Sequence, residues 1–171
     1  MNSFAKFIDI LVAVIVCFLF PTTYFAQKQD TLTQMMVTDV TQDLMDTVQV
    51  QGELTQELYN KFLYQLSRIG AYEVRLKREY MAIEPEYEST EGNPVFTGLI
   101  SVYWADITHD EILQVLETEG VYQFERGDTL DITVTNRVKT LATLLLQIPY
   151  GLSMTNEQII VTLTAEIRDS E

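Results

Sequence analysis

Cysteine and histidine each occur once in these 171 residues. A lone thiol excludes an intramolecular disulfide framework, and the two residues together cannot fill the ligand set of a Cys/His zinc centre. Basic residues are also scarce: 11 Lys and Arg stand against 25 Asp and Glu, giving a net charge of −14. A nucleic-acid-binding face needs concentrated cations to neutralise phosphates, so this balance argues against nucleic acid as a partner. It argues equally against docking on anionic lipid headgroups. No spacing of nucleophile, base and acid marks a catalytic site. The expectation is a protein without cofactor or resident metal that is not an enzyme.

What is present is apolar. Hydrophobic residues make up 47% and aromatic residues 11% of the chain, which excludes general disorder. The length suits one domain with room for an extra segment. That segment comes first: Ile10 to Ala26 reads ILVAVIVCFLFPTTYFA, 17 residues without a charge. Phe4, Ala5, Phe7 and Ile8 extend its apolar character past Lys6 and Asp9. A bilayer core of about 30 Å takes about 20 helical residues, so residues 1–26 read as a transmembrane signal anchor. A cleaved signal peptide has a shorter apolar region, about 7–15 residues, and a small-x-small cleavage site. Tyr24-Phe25-Ala26 places a bulky ring where the small residue belongs. Lys6 and Lys28 flank the span almost evenly, so the positive-inside count alone is a near tie. The few residues on the N-terminal side favour an inner tail, with an extracytoplasmic or cell-surface domain carrying the whole net negative charge. Cys17, inside the span, reads as a lipid-facing apolar residue.

Residues 27–51 continue as an amphipathic helix. Leu32, Met36, Val40, Leu44 and Val48 recur every four residues, joined by Met35, Val37 and Met45. No Gly or Pro interrupts Gln27 to Gln51, and Gly52 ends the pattern. One helix of about 45 residues is expected, bent in its first half at Pro21, which lacks the N–H for one helical hydrogen bond. The stripe has two readings: packing on the chain's own domain, or an interface between subunits. On the second, Leu32, Met36, Val40, Leu44 and Val48 are the interface candidates, with Asp9 at the start of the anchor.

Residues 52–171 carry the pattern of an extracytoplasmic α+β domain. Thr55 caps a helix with Leu58, Phe62, Leu66 and Ile69 on its apolar face, and Gly70 is expected to end it in the left-handed conformation. Tyr72, Val74, Leu76 and Tyr80 alternate with Glu73, Arg75, Lys77 and Glu79, as in a half-buried strand. Residues 83–94, IEPEYESTEGNP, read as an acidic loop. Glu84, Glu86, Glu88 and Glu91 lack the spacing of known calcium loops, so solvation is the simpler reading. Val95 to Ile107 reads as a strand bent at Gly98. Thr108-His109-Asp110-Glu111 opens a helix with a capping box, and Gly120 closes it. Val121 to Phe124 is a short strand and Arg126-Gly127-Asp128-Thr129 a turn. Leu130, Ile132, Val134 and Val138 alternate along the next strand. Lys139 to Gln147 is a short apolar helix or loop, and Ile159, Val161, Leu163, Ala165 and Ile167 form the last strand. The sum is a mostly antiparallel sheet of four or five strands with helices on one face.

Isolated chemical signals are weak. Arg126-Gly127-Asp128 spells an adhesive tripeptide, but Gly-Asp is ordinary turn chemistry. His109 reads as an exposed polar residue in a first helical turn. Glu117 with Glu119, or Asp128 with Asp131, lack the unlike environments that acid/base pairs require. Nine tyrosines suit a sheet surface that contacts other proteins.

The order of parts (short tail, apolar anchor with a proline, unbroken amphipathic helix, outer antiparallel α+β domain) resembles that of type IV pilins and pseudopilins. The segment GDTLDITVTNRVKTLATLLLQIPYG followed by IIVTLTAEIRDSE is similar to the Tad-type minor pilins, the TadE-like proteins. The resemblance implies a structural, membrane-anchored subunit of a surface appendage or its assembly machinery. Its partners would be membrane lipid and other pilin-like subunits or membrane assembly proteins, in an oligomer. It further implies that an acid five residues into the mature chain pairs with a neighbour's N-terminal amine. Asp9 holds that place if processing falls before Ala5, although Phe4 stands where the processing pattern has Gly. Otherwise Asp9 is an interfacial charge beside Lys6. From the residues alone, the alternative is a signal-anchored extracytoplasmic binding module, motivated by the Tyr-bearing strands and the acidic stretch.

Overall fold

The computed structural model of the chain describes residues 3–90, 93–138 and 160–168. Its first element, α1 (Ser3–Gln51), is one helix of 49 residues, about 74 Å at the usual rise. It runs through Pro21, whose missing N–H leaves the Cys17 carbonyl without its helical donor. Gly52 ends it in the left-handed conformation, φ 69°, donating its N–H to the Val48 carbonyl at 2.8 Å.

Eight shorter elements follow: β1 (Glu53–Thr55), α2 (Gln56–Ile69), β2 (Tyr72–Thr90), β3 (Asn93–Ile107), α3 (His109–Glu119), β4 (Val121–Gln123), β5 (Thr129–Asn136) and β6 (Ile160–Glu166). The caps form much as the residues demand. The Thr55 hydroxyl accepts from the Leu58 N–H at 3.2 Å, and the Glu111 carboxylate accepts from the Thr108 N–H at 3.0 Å. Gly120 takes the left-handed conformation, φ 78°. Gly70 corrects the expectation: its φ of 174° is extended backbone. The chain passes directly from α2 into β2 there, and an added Cβ would meet the Tyr72 ring at 3.2 Å.

The four-stranded sheet has the order β3-β2-β5-β6 and is antiparallel throughout; β1 and β4 form a separate two-stranded antiparallel ladder. β1 is absent from the sequence pattern, because three residues are too few to show alternation. Across the sheet, Val74, Val134 and Val161 lie in register, as do Leu76, Ile132 and Leu163. This face meets Val37, Leu44, Met45 and Val48 of α1, Phe62 and Leu66 of α2, and Ile112 and Leu116 of α3 in one core. The opposite face is wet, carrying Glu73, Arg75, Lys77 and Glu79 along β2 and Thr133 and Asp131 along β5. The protein is therefore α+β, with a long N-terminal apolar helix joined to antiparallel sheets.

Residues 83–94 are the largest departure from expectation. β2 does not stop near Tyr80, and the described residues of the acidic stretch lie in a long hairpin, in register from Arg78↔Ile107 to Thr90↔Asn93. The ladder slips between Pro85 and Tyr87, and Gly98 nearby adopts φ 80°, consistent with a bulge. The expected short helix or loop at Lys139–Gln147 and the strand position Ile159 lie outside the described residues.

Candidate interaction surfaces

α1 passes through two environments. From Phe4 to Phe25 its large apolar side chains are mostly exposed. This is the one helix among the described residues long and apolar enough to cross a membrane, with an 18-residue window of mean hydropathy 2.1 and nothing covering it. Thr22 and Thr23 are compatible with such a segment because their hydroxyls donate to the Phe18 and Leu19 carbonyls at 2.7 and 2.9 Å. A hydroxyl satisfied within its own helix can sit in hydrocarbon. Asp9 is exposed, one turn beyond Lys6.

The stripe on α1 divides along its length. Leu44 and Val48 are 3% and 0% exposed and belong to the chain's own core, and Val40 is partly buried against it. Leu32 and Met36 are 60% and 58% exposed, as is their neighbour Met35 at 58%. Packing on the chain's own domain thus accounts for the C-terminal part of the stripe and leaves the N-terminal part open. A shallow groove of about 360 Å³ beside Met36 and Val40 is closed on its other side by Arg68 and Ile69 of α2.

The second exposed apolar surface lies on the hairpin. Pairing between β2 and β5 ends at Glu79↔Thr129, so β2 and β3 run on beyond the sheet as a two-stranded arm. Met81 faces Trp104, Ile83 faces Val102 and Pro85 faces Ile100. Directly paired and i, i+2 residues share a face, so these six form one apolar strip. Trp104 is 62% exposed, and the other five are exposed as well. The reverse face carries Glu84, Ser101 and Tyr103; Glu84 holds the Tyr103 hydroxyl in a hydrogen bond that raises its pKa, and Ser101 donates to Glu86. The signal for this arm was present as in-phase apolar residues at 81, 83, 100, 102 and 104, overshadowed by the Pro, Gly and Glu content between them.

The weaker chemical signals resolve into structure. Asp128 is 4% exposed. Its carboxylate pairs with the Arg78 guanidinium at 2.7 Å and accepts from the Glu125 N–H at 2.6 Å. The Arg-Gly-Asp sequence is a turn, with Gly127 at φ 86°, and its carboxylate points inward. Arg78 also donates to the Tyr122 hydroxyl at 3.2 Å and lies over the Tyr80 and Tyr122 rings at 5.1 and 5.8 Å. Alternation alone does not single out Arg78, although a cation in phase with Val74 and Leu76 signals a buried partner.

His109 is half-buried, which corrects the expectation of exposure. It opens α3, two residues past the last β2–β3 pair, and its Nδ1 accepts the Leu76 N–H at 3.2 Å. The side chain thus replaces the carbonyl that β3 no longer supplies. Burial pushes its pKa below the usual imidazole range, against the carboxylate of Asp110. Glu117 and Glu119 are exposed on α3, and Asp131 accepts from Thr164 on the wet face. Among the described residues no three His, Cys, Asp or Glu side chains converge as a metal site. No known protein family, curated protein or solved structure matches the chain.

Proposed function

We propose that this protein is a membrane-anchored structural subunit, pilin-like in organisation, of a surface appendage or of the machinery that assembles one. The observation that carries this reading is α1: an unbroken helix, apolar and uncovered over its first half, that enters the core of an α+β domain with its second half. A rigid connection of this kind couples the position of the domain to the position of the anchor. The anchor crosses the membrane once, with its short N-terminal end inside and the acidic domain outside. No bond chemistry is required of such a subunit; neighbours associate by burying apolar helix surface. Leu32, Met35 and Met36, with Asp9 at the start of the anchor, are the residues offered to them.

The test is the double substitution Leu32→Asp with Met36→Asp in the full chain. Both side chains are exposed, so the domain keeps its fold while self-association in the membrane is lost. Undiminished association of that variant refutes the interface. A second reading, a signal-anchored binding module, draws support from the apolar arm, and it requires the domain to recognise an unlike partner when α1 cannot self-associate through Leu32 and Met36.

A further inference from the structure

The covered face of α1 does not stop at the core. Thr41 and Val37 are buried, Thr33 and Asp30 are half-buried, and Ala26 is 6% exposed although Tyr24 and Phe25 beside it are exposed. Spacings of three and four put these residues on one side of the helix. That side is therefore covered down to the last residue of the uncharged stretch Ile10–Ala26. The sheet runs along the helix in the same direction. At one end, the Gln49 side chain donates to the Glu166 carbonyl at 2.7 Å, and the Gln49 carbonyl accepts from the Arg168 N–H at 3.3 Å. At the other end, burial and then the nearby Asp30 carboxylate raise the Tyr72 pKa. Tyr72 pairs with Asn136, and Thr135 with Ile160, so these residues form one end of the sheet. The lengths agree to within a helical turn. Asp30 to Gln49 is about 29 Å of helix, and Asn136 to Thr129, which pairs with Glu166, is about 24 Å of strand. Tyr72, Asn136 and Ile160 therefore stand near the height of Asp30.

We propose that this end of the sheet rests in the phospholipid headgroup layer of the membrane that α1 crosses, so that the domain stands on the lipid surface and not clear of it. Height supports this first. With the hydrocarbon ending at Ala26, Asp30 lies about 6 Å above it, and a headgroup layer is about 5–8 Å deep. The side chains at that end suit the place. Val138 and Ile160 are exposed apolar residues. Arg137 precedes Val138 and is fixed by its N–H, which donates to the Ala71 carbonyl at 2.9 Å. The ion pairs formed among the described residues do not include Arg137. An exposed guanidinium beside apolar side chains matches a boundary where phosphates lie over acyl chains. On α1, Lys28 lies over the Tyr24 ring at 5.8 Å, a cation and a ring of the kind that gather at interfaces. Charge is compatible. The net −14 opposes anionic lipid, whereas a phosphatidylcholine headgroup has no net charge. Glu73, near this end, is paired with Arg75. The acids of the arm begin at Glu84, twelve residues along β2 from Tyr72, about 40 Å away and far beyond the Debye length of about 8 Å. β2 then carries the arm outward, and Met81, paired with Trp104, stands about 30 Å beyond Tyr72. The inference rests on the anchored reading above and goes beyond it in fixing where the domain meets lipid.

The test measures depth in phosphatidylcholine nanodiscs with the full chain. In a Cys17→Ser background, Val138→Cys, Ile160→Cys and Ile83→Cys chains each carry one bimane label; all three positions are exposed. Part of the lipid bears a nitroxide on its headgroup. The label at 138 and at 160 is expected to be quenched several-fold more than the label at 83, and to be the better shielded from iodide in the water. Separately, the native chain is labelled at Cys17, its single cysteine, in discs whose lipid carries the nitroxide on its acyl chains. Quenching at Cys17 together with equally weak headgroup quenching at 138, 160 and 83 overturns the proposal and leaves the anchored reading in place. Stronger headgroup quenching at 83 than at 138 overturns it too, because the arm and not the sheet end then meets the lipid. No acyl-chain quenching at Cys17 refutes the anchored reading and the lipid contact together.

Discussion

Asp128 joins three separate stretches of chain. Its carboxylate takes Arg78 from β2 and the N–H of Glu125, and its carbonyl takes the N–H of Ile167 at 2.8 Å, just past β6. Removing one member of a buried pair leaves the other charged without compensation, which costs about 3–5 kcal/mol. Asp128→Asn is therefore expected to destabilise the protein by about 3 kcal/mol, read as a lower urea midpoint of the detergent-solubilised chain. A change below about 1 kcal/mol would place the pair in the screened, surface class. His109 gives a pH-dependent prediction. Its folded pKa lies below the unfolded value of about 6.5, so the folded state resists protonation. The stability it contributes is complete above about pH 6.5 and declines as pH falls towards the lowered folded pKa. Acidic residues add their own slopes, so the comparison is between the native chain and His109→Asn, which keeps an acceptor near Nδ1 and does not titrate. The stability difference between the two should shift against the native chain from pH 7 to pH 5. A difference independent of pH contradicts the buried, neutral imidazole.

Within α1 the same residue types carry different energies at different heights. Leu44→Asp sets an unpaired charge in the core and is expected to cost several kcal/mol and unfold the domain. Leu32→Asp, three turns earlier, should change stability by less than about 0.5 kcal/mol; circular dichroism of the two variants in detergent separates these outcomes. The helices were legible in sequence because their signals are local: a four-residue stripe uninterrupted by Gly or Pro, then Thr55 and Thr108 as caps. Strands with clean alternation, such as Thr129–Asn136, were equally plain. The arm was not. Its stability depends on pairing Met81 with Trp104 and Ile83 with Val102, positions about twenty residues apart, while the intervening Pro85, Gly92 and Pro94 have the local chemistry of a loop. β1 was hidden for the same reason, since its ladder partner β4 lies about seventy residues further on. Among site residues, the stripe could be found from its period, but period alone could not say that Leu44 and Val48 face the chain's own sheet while Leu32 and Met36 do not.

At the scale of the molecule, an apolar helix and an acidic α+β domain are built on one continuous rod. Whatever fixes α1 in a membrane also fixes where the domain, its wet sheet face and its arm stand above it. On the function proposed above, this arrangement serves assembly among copies of the chain. Gentle detergent extraction of the native protein, with electron microscopy and mass determination of the particles, tests it most directly. The account predicts a regular filament or a symmetric assembly of many copies, lost in the Leu32→Asp, Met36→Asp variant. A monomer, or a small complex with unlike proteins that survives those substitutions, contradicts it.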